Sequence, residues 1–339
     1  MKNSKLLLIL GCWLLLSCNK KNADEQVAIA TDSLAKGADI GWLSEMESKG
    51  VRFYNASGQQ QDCIDILKQL GINAIRLRVW VNPVDGWCGK EDVVNQAIRA
   101  SQKGMRIMID FHYSDYWADP GKQNKPAAWK SLSIAELQNA VANHTHEILL
   151  ALKNRQVHPE WVQVGNEIND GFLWEDGRAS KNMVQFSSLV KSSCTAVKDI
   201  FPNTKVVIHI SNGNDNALFR WIFDGLTANG ANWDVIGMSL YPEVANWITR
   251  NDQCLFNMID MVNRYGKEVI ISEVGMPVNQ PAICKQFLTD LIAKTRSVPG
   301  KKGLGVFYWE PQCYNGWQGY QMGAFDDSGK PTAALDAFR

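Results

Sequence analysis

The sequence predicts an α/β protein folded as one (β/α)8 TIM barrel, and two observations carry that prediction. Short apolar runs suited to strands alternate with stretches of helical periodicity eight times over roughly 300 residues, the count and length of such a barrel. Polar residues also gather after the strand-like runs rather than before them: Asp110, His112, Asn166, Glu167, Tyr241, Glu273 and Trp309. In a parallel barrel those positions share the C-terminal mouth, where active sites form. The competing architecture is an open, doubly wound sheet. If it bound nucleotides it would need a glycine-rich phosphate loop, and neither a Gly-x-Gly-x-x-Gly opening a helix nor a Walker-type loop is present.

Residues 37–41 form a short first strand. Residues 61–70 have Ile64, Leu67 and Leu70 on one helical face, and Gly71 ends the helix. Residues 73–80 alternate: Ile75, Leu77 and Val79 face one side, Arg76 and Arg78 the other, which in a barrel is the interior. A helix over 90–103 stops at Gly104, and a strand over 105–110 follows. The next helix, 134–153, leads to the apolar run 161–164 with Gly165, Asn166 and Glu167 behind it. Helices over 183–200, 219–228, 255–265 and 285–295 are interleaved with strands over 205–210, 234–242, 268–275 and 303–311. A last helix over 332–338 closes the domain, which spans 37–339 with no inserted segment.

The first 18 residues have the pattern of a processing segment: Lys2 and Lys5, an apolar run from Leu6 to Leu16 too short to span a bilayer, then Leu15-Leu16-Ser17-Cys18. That ending resembles a bacterial lipobox and predicts lipidation of Cys18, with residues 19–36 as a flexible tether and an exported, membrane-anchored product. The membrane is expected to be met through that anchor alone. Lys plus Arg and Asp plus Glu number 35 each, so nothing attracts nucleic acid, and a neutral ligand suits the surface. Thirteen Trp tilt the reading toward carbohydrate, since indole faces stack on sugar rings; the alternative is that most fill the core. Six Cys lie beyond the leader and Cys18 (Cys63, Cys88, Cys194, Cys254, Cys284 and Cys313), and their wide spacing leaves pairing open. No His-Glu-x-x-His pattern occurs; no metal and no cofactor are expected.

Two matching strand ends hold the chemistry. Residues 161–167 end in Asn166-Glu167, and residues 268–275 end in Glu273-Val274-Gly275. Polar groups at the end of a buried strand are costly unless they do work. Two carboxylates on separate strands are the minimum apparatus for cleaving a glycosidic bond. The ordinary alternative, a solvated Glu just past a strand, is weakened by its occurring twice at equivalent junctions.

The strings Gly37-Ala38-Asp39-Ile40, Ile75-Arg76-Leu77-Arg78-Val79-Trp80-Val81-Asn82-Pro83, residues 110–120 (DFHYSDYWADP), Gly165-Asn166-Glu167-Ile168 and Tyr308-Trp309-Glu310-Pro311 together resemble glycoside hydrolase family 53, the endo-β-1,4-galactanases acting on type I arabinogalactan. The resemblance runs from about residue 36 to the end. Asn-Glu alone is shared by many barrel glycosidases; the arginine–tryptophan and Asp-x-His strings are far more selective. The resemblance implies a retaining barrel enzyme with Glu167 as acid/base and Glu273 as nucleophile. It places Arg76, Asp110, His112, Asn166, Tyr241 and Trp309 at the mouth as substrate-binding positions. Residues 211–213 (Ser-Asn-Gly) and Leu240 depart from the family's pattern, which bears on subsites.

From these roles, Glu273 is expected to stay ionised above Arg76, which lowers its pKa, while its anionic neighbour and a Trp-lined pocket raise Glu167. Asn166 should donate to the sugar 2-hydroxyl, and Tyr241 should orient Glu273. Arg76 has a structural alternative, a buried ion pair with Asp39 or Asp110. Trp117, Trp309 and Trp87 are candidate stacking platforms. The expected partner is a galactan polysaccharide met by a monomer. A sister barrel glycosidase such as a β-mannanase, or a non-catalytic glycan-binding lipoprotein, are the alternatives; keeping both Glu167 and Glu273 favours an enzyme.

Overall fold

The computed structural model describes residues 34–339. The leader-like segment, Cys18 and the tether as far as residue 33 lie outside them. Eight parallel strands close in sequence order into one barrel: β1 (Ala35–Asp39), β2 (Ala74–Val79), β3 (Arg106–Phe111), β4 (Trp161–Val164), β5 (Lys205–Ile210), β6 (Val235–Leu240), β7 (Glu268–Val274) and β8 (Gly303–Trp309). β1 opens at Ala35, so residues 35 and 36 belong to the barrel and not to the stretch read as tether.

The helices are α1 (Leu43–Ser48), α2 (Cys63–Gln69), α3 (Lys90–Gln102), α4 (Ile134–Asn154), α5 (Met183–Ile200), α6 (Asn216–Ala228), α7 (Trp247–Tyr265) and α8 (Pro281–Ser297). Three departures from the sequence reading have simple causes. The six-residue α1 is too short to show a period. α7 starts eight residues earlier than its apolar pattern, because its first two turns are mostly exposed and are anchored inward by the polar Asn251, whose amide donates to the Phe287 carbonyl. The closing segment Ala333–Phe338 is a 3-10 turn packed on α8, not an α-helix. The longest helix, α4, begins on a reciprocal capping box between Ser133 and Glu136, which satisfies two end amides at once.

Strand periodicity divides the barrel into two cores. Ala35, Ala74, Met108, Trp161, Val207, Val235, Ile270 and Phe307, one from each strand, fill the lower interior as an apolar plug. Residues of opposite parity, such as Ile75, Leu77 and Val79, join the larger core beneath the helices. A fully buried side chain of this size contributes about 1.5–3 kcal/mol. Gly37 is required here: a Cβ would come within 2.1 Å of the Phe307 ring. Above the plug the inward positions become polar, with Asp39, Arg76, Asp110, Gln163, His209 and Ser239, and the mouth is built on them. The six cysteines of this region are buried and unpaired.

Candidate active site

Ile270 belongs to the inner plug, so strict alternation would point Ser272 inward and Glu273 outward. A register shift between β6 and β7 prevents this. Gly237 pairs with Ile270 and Met238 with Ile271, but Ser239 pairs with Glu273. The extra residue, Ser272, is a bulge that returns Glu273 to the interior. On the opposite side Gly165 (φ 87°) turns the chain out of β4, and Glu167 itself takes a left-handed backbone, φ 46°. A non-glycine residue held there marks a site where geometry outweighs local preference.

Arg76 is the floor. It has no exposed surface and binds three carboxylates at once: Asp39 at 2.6 Å, Asp110 at 2.9 Å and Glu273 at 2.9 Å. Its Nη2 also donates to Gln163 Oε1 at 3.1 Å and Asn166 Oδ1 at 3.0 Å. Arg76 is therefore at once the buried ion pair with Asp39 and Asp110 and the counter-ion of Glu273. Asp110 is equally buried and accepts from Gln163 and from His112 Nε2, the latter at 3.1 Å. His112 Nδ1 in turn accepts the Ala118 amide at 3.1 Å and faces Trp80 Nε1 at 3.4 Å. Arg76, Asp110 and His112 thus support the groups above them and present no free surface to a sugar.

Asn166 is oriented from all sides. Its Nδ2 donates to the Ala118 carbonyl at 2.9 Å, and Gln123 donates to its backbone carbonyl at 2.8 Å. One amide hydrogen is left for a ligand. Tyr241 follows β6 on the rim, 37% exposed, with its hydroxyl donating to Glu273 Oε2 at 3.0 Å. Glu167 Oε1 accepts from Ser239 Oγ at 2.7 Å.

Burial pushes both carboxyls up, Glu167 to about 7 and Glu273 to about 8. This corrects the expectation that Arg76 holds Glu273 low: Arg76 opposes the rise, but burial and the neighbouring Glu167 outweigh it. With both carboxyls raised by burial and Glu167 adding to the rise at Glu273, the site favours one proton between the two. Contacts decide where that proton sits. Glu273 has a guanidinium at 2.9 Å and a hydroxyl donor at 3.0 Å, both favouring the anion, which leaves the proton to Glu167.

One wall of the mouth is aromatic. Trp42, Trp117 and Trp309 meet edge to face, with centroids 5.2–5.7 Å apart, and Tyr320 closes on Trp309 at 4.7 Å. Beneath them lies Arg78, whose guanidinium sits 4.4 Å from the Trp117 ring centre and pairs with buried Glu310. One indole face of Trp117 is thus covered by a cation. Trp87 lies half-buried in the loop after β2. Among the described residues no cluster of three or more His, Cys, Asp or Glu is arranged to hold a metal ion. Asp326 to Gly329 form a tight turn in which Asp326 Oδ1 accepts the Ser328 amide at 2.9 Å.

Two mouth carboxylates over a buried arginine, flanked by indoles, are the equipment of a glycosidase, and the family model described as Glycosyl hydrolase family 53 matches residues 35–285 and 278–338. This chain belongs to glycoside hydrolase family 53. An arabinogalactan endo-beta-1,4-galactanase of Humicola insolens is 33% identical over 297 residues, covering 81% of this chain and 89% of that protein. An uncharacterized protein of Niallia circulans is 39% identical over 305 residues, 81% of this chain and 82% of that one. A solved fungal β-1,4-galactanase superposes with a TM-score of 0.84 at 30% identity, covering 90% of this chain and 99% of the other.

Within this family-53 barrel, sequence reasoning passed over Gln163 and Ser239 and gave His209 no role. All three are uncharged, and strand parity was the signal available. Each lies on the inward phase of its strand, at the level where the interior turns polar.

Proposed function

We propose that this glycoside hydrolase cleaves internal β-1,4-galactosidic bonds of galactan, the backbone of type I arabinogalactan in pectin side chains, with retention of configuration. Glu167 is the acid/base and Glu273 the nucleophile. The observation that carries the reading is the unequal support of the two carboxyls: Arg76 and Tyr241 hold Glu273, while Glu167 has a single hydroxyl donor. The names of the Humicola relative and the fungal structure supply the linkage.

In the first step Glu273 attacks the anomeric carbon as Glu167 gives its proton to the departing glycosidic oxygen, leaving a glycosyl-enzyme. Glu167, now anionic, takes a proton from water, which displaces Glu273 and restores the starting state. Retention requires the carboxyls to approach to about 5–5.5 Å. The spare Asn166 amide hydrogen suits the 2-hydroxyl, a bond that strengthens as positive charge develops at the anomeric carbon. The Trp117 and Trp309 rings suit stacking on flanking sugars. We further propose export and anchoring through Cys18, with the barrel acting as a single copy.

The test is reducing-sugar release from β-1,4-galactan against mannan, xylan and arabinan, with galactan products resolved by size over time. Mixed oligosaccharides should appear first. Galactose alone from the earliest points would overturn the endo reading, and preferred release from mannan would overturn the linkage.

A further inference from the structure

Glu167 must present its proton to the leaving oxygen from one particular carboxyl oxygen, and the groups behind it decide which. Oε1 faces inward and lies 2.7 Å from Ser239 Oγ. Ser239, itself buried, lies 2.8 Å from Nε2 of His209. His209 has no exposed surface, and its other nitrogen, Nδ1, is 3.4 Å from the Glu167 backbone amide and 3.1 Å from Asn166 Oδ1. One imidazole therefore touches the acid/base residue twice, at its backbone and through a hydroxyl at its carboxyl. The left-handed backbone of Glu167 is held by the same ring.

Burial, Arg76 and His112 all keep a proton off His209, so the ring is neutral and carries one N–H. With the hydrogen on Nε2, the ring donates to Ser239 Oγ, which donates to Glu167 Oε1, while Nδ1 accepts the Glu167 amide and only packs against Asn166 Oδ1, whose lone pairs are taken by Arg76 Nη2 and Gln163 Nε2. Oε1 then acts as an acceptor whether Glu167 is charged or neutral, and the acid proton has only Oε2 to occupy. With the hydrogen on Nδ1, Ser239 would turn its hydroxyl toward Nε2. Its lone pairs would then face Glu167, and the proton would be drawn inward to Oε1, away from the substrate.

We propose that Ser239 and His209 are positioning residues that hold the acid proton of Glu167 on the oxygen facing the sugar, through an Nε2–H imidazole. The proposal rests on Glu167 being the acid/base. The charged and titratable groups around that carboxyl are Arg76 from β2, Asp110 and Asp119 from β3 and its loop, Tyr241 from β6, and Glu273 from β7. All remain in place in the variants below, so a change in Glu167 reports on the two partners.

Two measurements test it. Nitrogen-15 NMR of the full chain labelled at histidine reads the tautomer of His209 without any turnover: an Nε2–H ring is expected, and an Nδ1–H ring would overturn the proposal even if galactan proves to be the wrong substrate. Ser239→Ala removes a hydrogen bond that favours the Glu167 anion. The alkaline limb of kcat/KM on galactan should move upward by roughly one pH unit, a tenfold change in proton affinity. Its kcat should fall most for unactivated galactan and least for an aryl galactoside whose leaving group needs no proton. His209→Gln, which keeps a donor toward Ser239, should retain the wild-type limb, and His209→Phe should shift it as Ser239→Ala does. An equal loss at every pH and on both substrates would reduce the pair to ordinary packing. Carbon-13 titration of labelled Glu167 in Ser239→Ala separates a failure of this proposal from a failure of the acid/base assignment. An upward shift there with no change in the rate profile would mean that Glu167 is not the acid.

Discussion

Arg76 and Glu273 meet across 2.9 Å at the floor of the barrel mouth, a cation with no exposed surface under the carboxylate that is placed to attack. Asp39 and Asp110 share the same guanidinium, so the nucleophile is neutralised only in part and keeps its basicity. The same sharing makes Glu273 dependent on Glu167. With two nearby carboxyls and one divided counter-charge, the site is stable with one proton and uncomfortable with none.

Removing each carboxyl should separate the roles. Glu167→Ala should lower galactan hydrolysis by about 10²–10⁴-fold, the usual worth of general acid–base help. Glu273→Ala should abolish it. With an activated aryl galactoside and azide, Glu167→Ala should yield the β-azide and Glu273→Ala the α-azide. Product stereochemistry by NMR reads this directly, and the reverse pattern would exchange the two assignments.

The raised carboxyls should show in stability as well as in rate. A carboxyl whose pKa is higher folded than unfolded stabilises the fold below its unfolded value, about 4.3, and that stability is lost as pH rises through the folded value. For Glu167 the window runs from about 4.3 to about 7. Glu167→Gln should therefore leave the melting temperature unchanged near pH 4. At pH 8 it should raise stability on the order of 1–3 kcal/mol, several degrees in a calorimetric scan. A variant that is destabilised at pH 8 would contradict the burial account.

The aromatic wall should bear on binding. Trp117→Ala or Trp309→Ala should each cost about 1–3 kcal/mol, roughly ten- to hundredfold in kcat/KM on long galacto-oligosaccharides. For Trp117 the loss includes the uncovering of Arg78, so a drop in melting temperature should accompany it. Trp309→Ala should affect kinetics more than folding.

Attachment is tested by labelled palmitate, which should enter the wild-type protein and be missing from Cys18→Ala. Equal labelling of both would remove the anchor.

Much of this molecule could be read from its residues. The alternation of Arg76 and Arg78 with Ile75, Leu77 and Val79 gave both the inward face of β2 and the counter-ion below the nucleophile. Asn166-Glu167 stood out because charge at the end of an apolar strand is conspicuous. Gln163, Ser239 and His209 did not, since a neutral side chain in a strand announces nothing until its neighbours are known. Glu273 was found for an incomplete reason. It ends a strand, but only the bulge at Ser272 turns it inward, and a bulge depends on the partner strand's register and leaves no mark in one chain's own periodicity. The extra turns at the start of α7 were hidden for a similar reason, because Asn251 packs inward through amide hydrogen bonds where an apolar residue is expected.

The connected ion pairs under the mouth join two guanidiniums, Arg76 and Arg78, to the carboxyls of Asp39, Asp110, Glu273 and Glu310, and Glu167 stands beside them. Even with a proton on Glu167 and another on Glu310, whose burial raises it to about 7, one negative charge stays uncompensated. A uronate carried to about 7 Å from that charge would be repelled by about 2 kcal/mol at an effective dielectric of about 20, some thirtyfold in affinity. The mouth therefore selects by sign as well as by shape. A plain hexose chain can cross it, while an acidic polysaccharide lying alongside is turned away before any hydroxyl is inspected, and added salt should weaken the rejection of a chain still outside the mouth more than that of a uronate already within it.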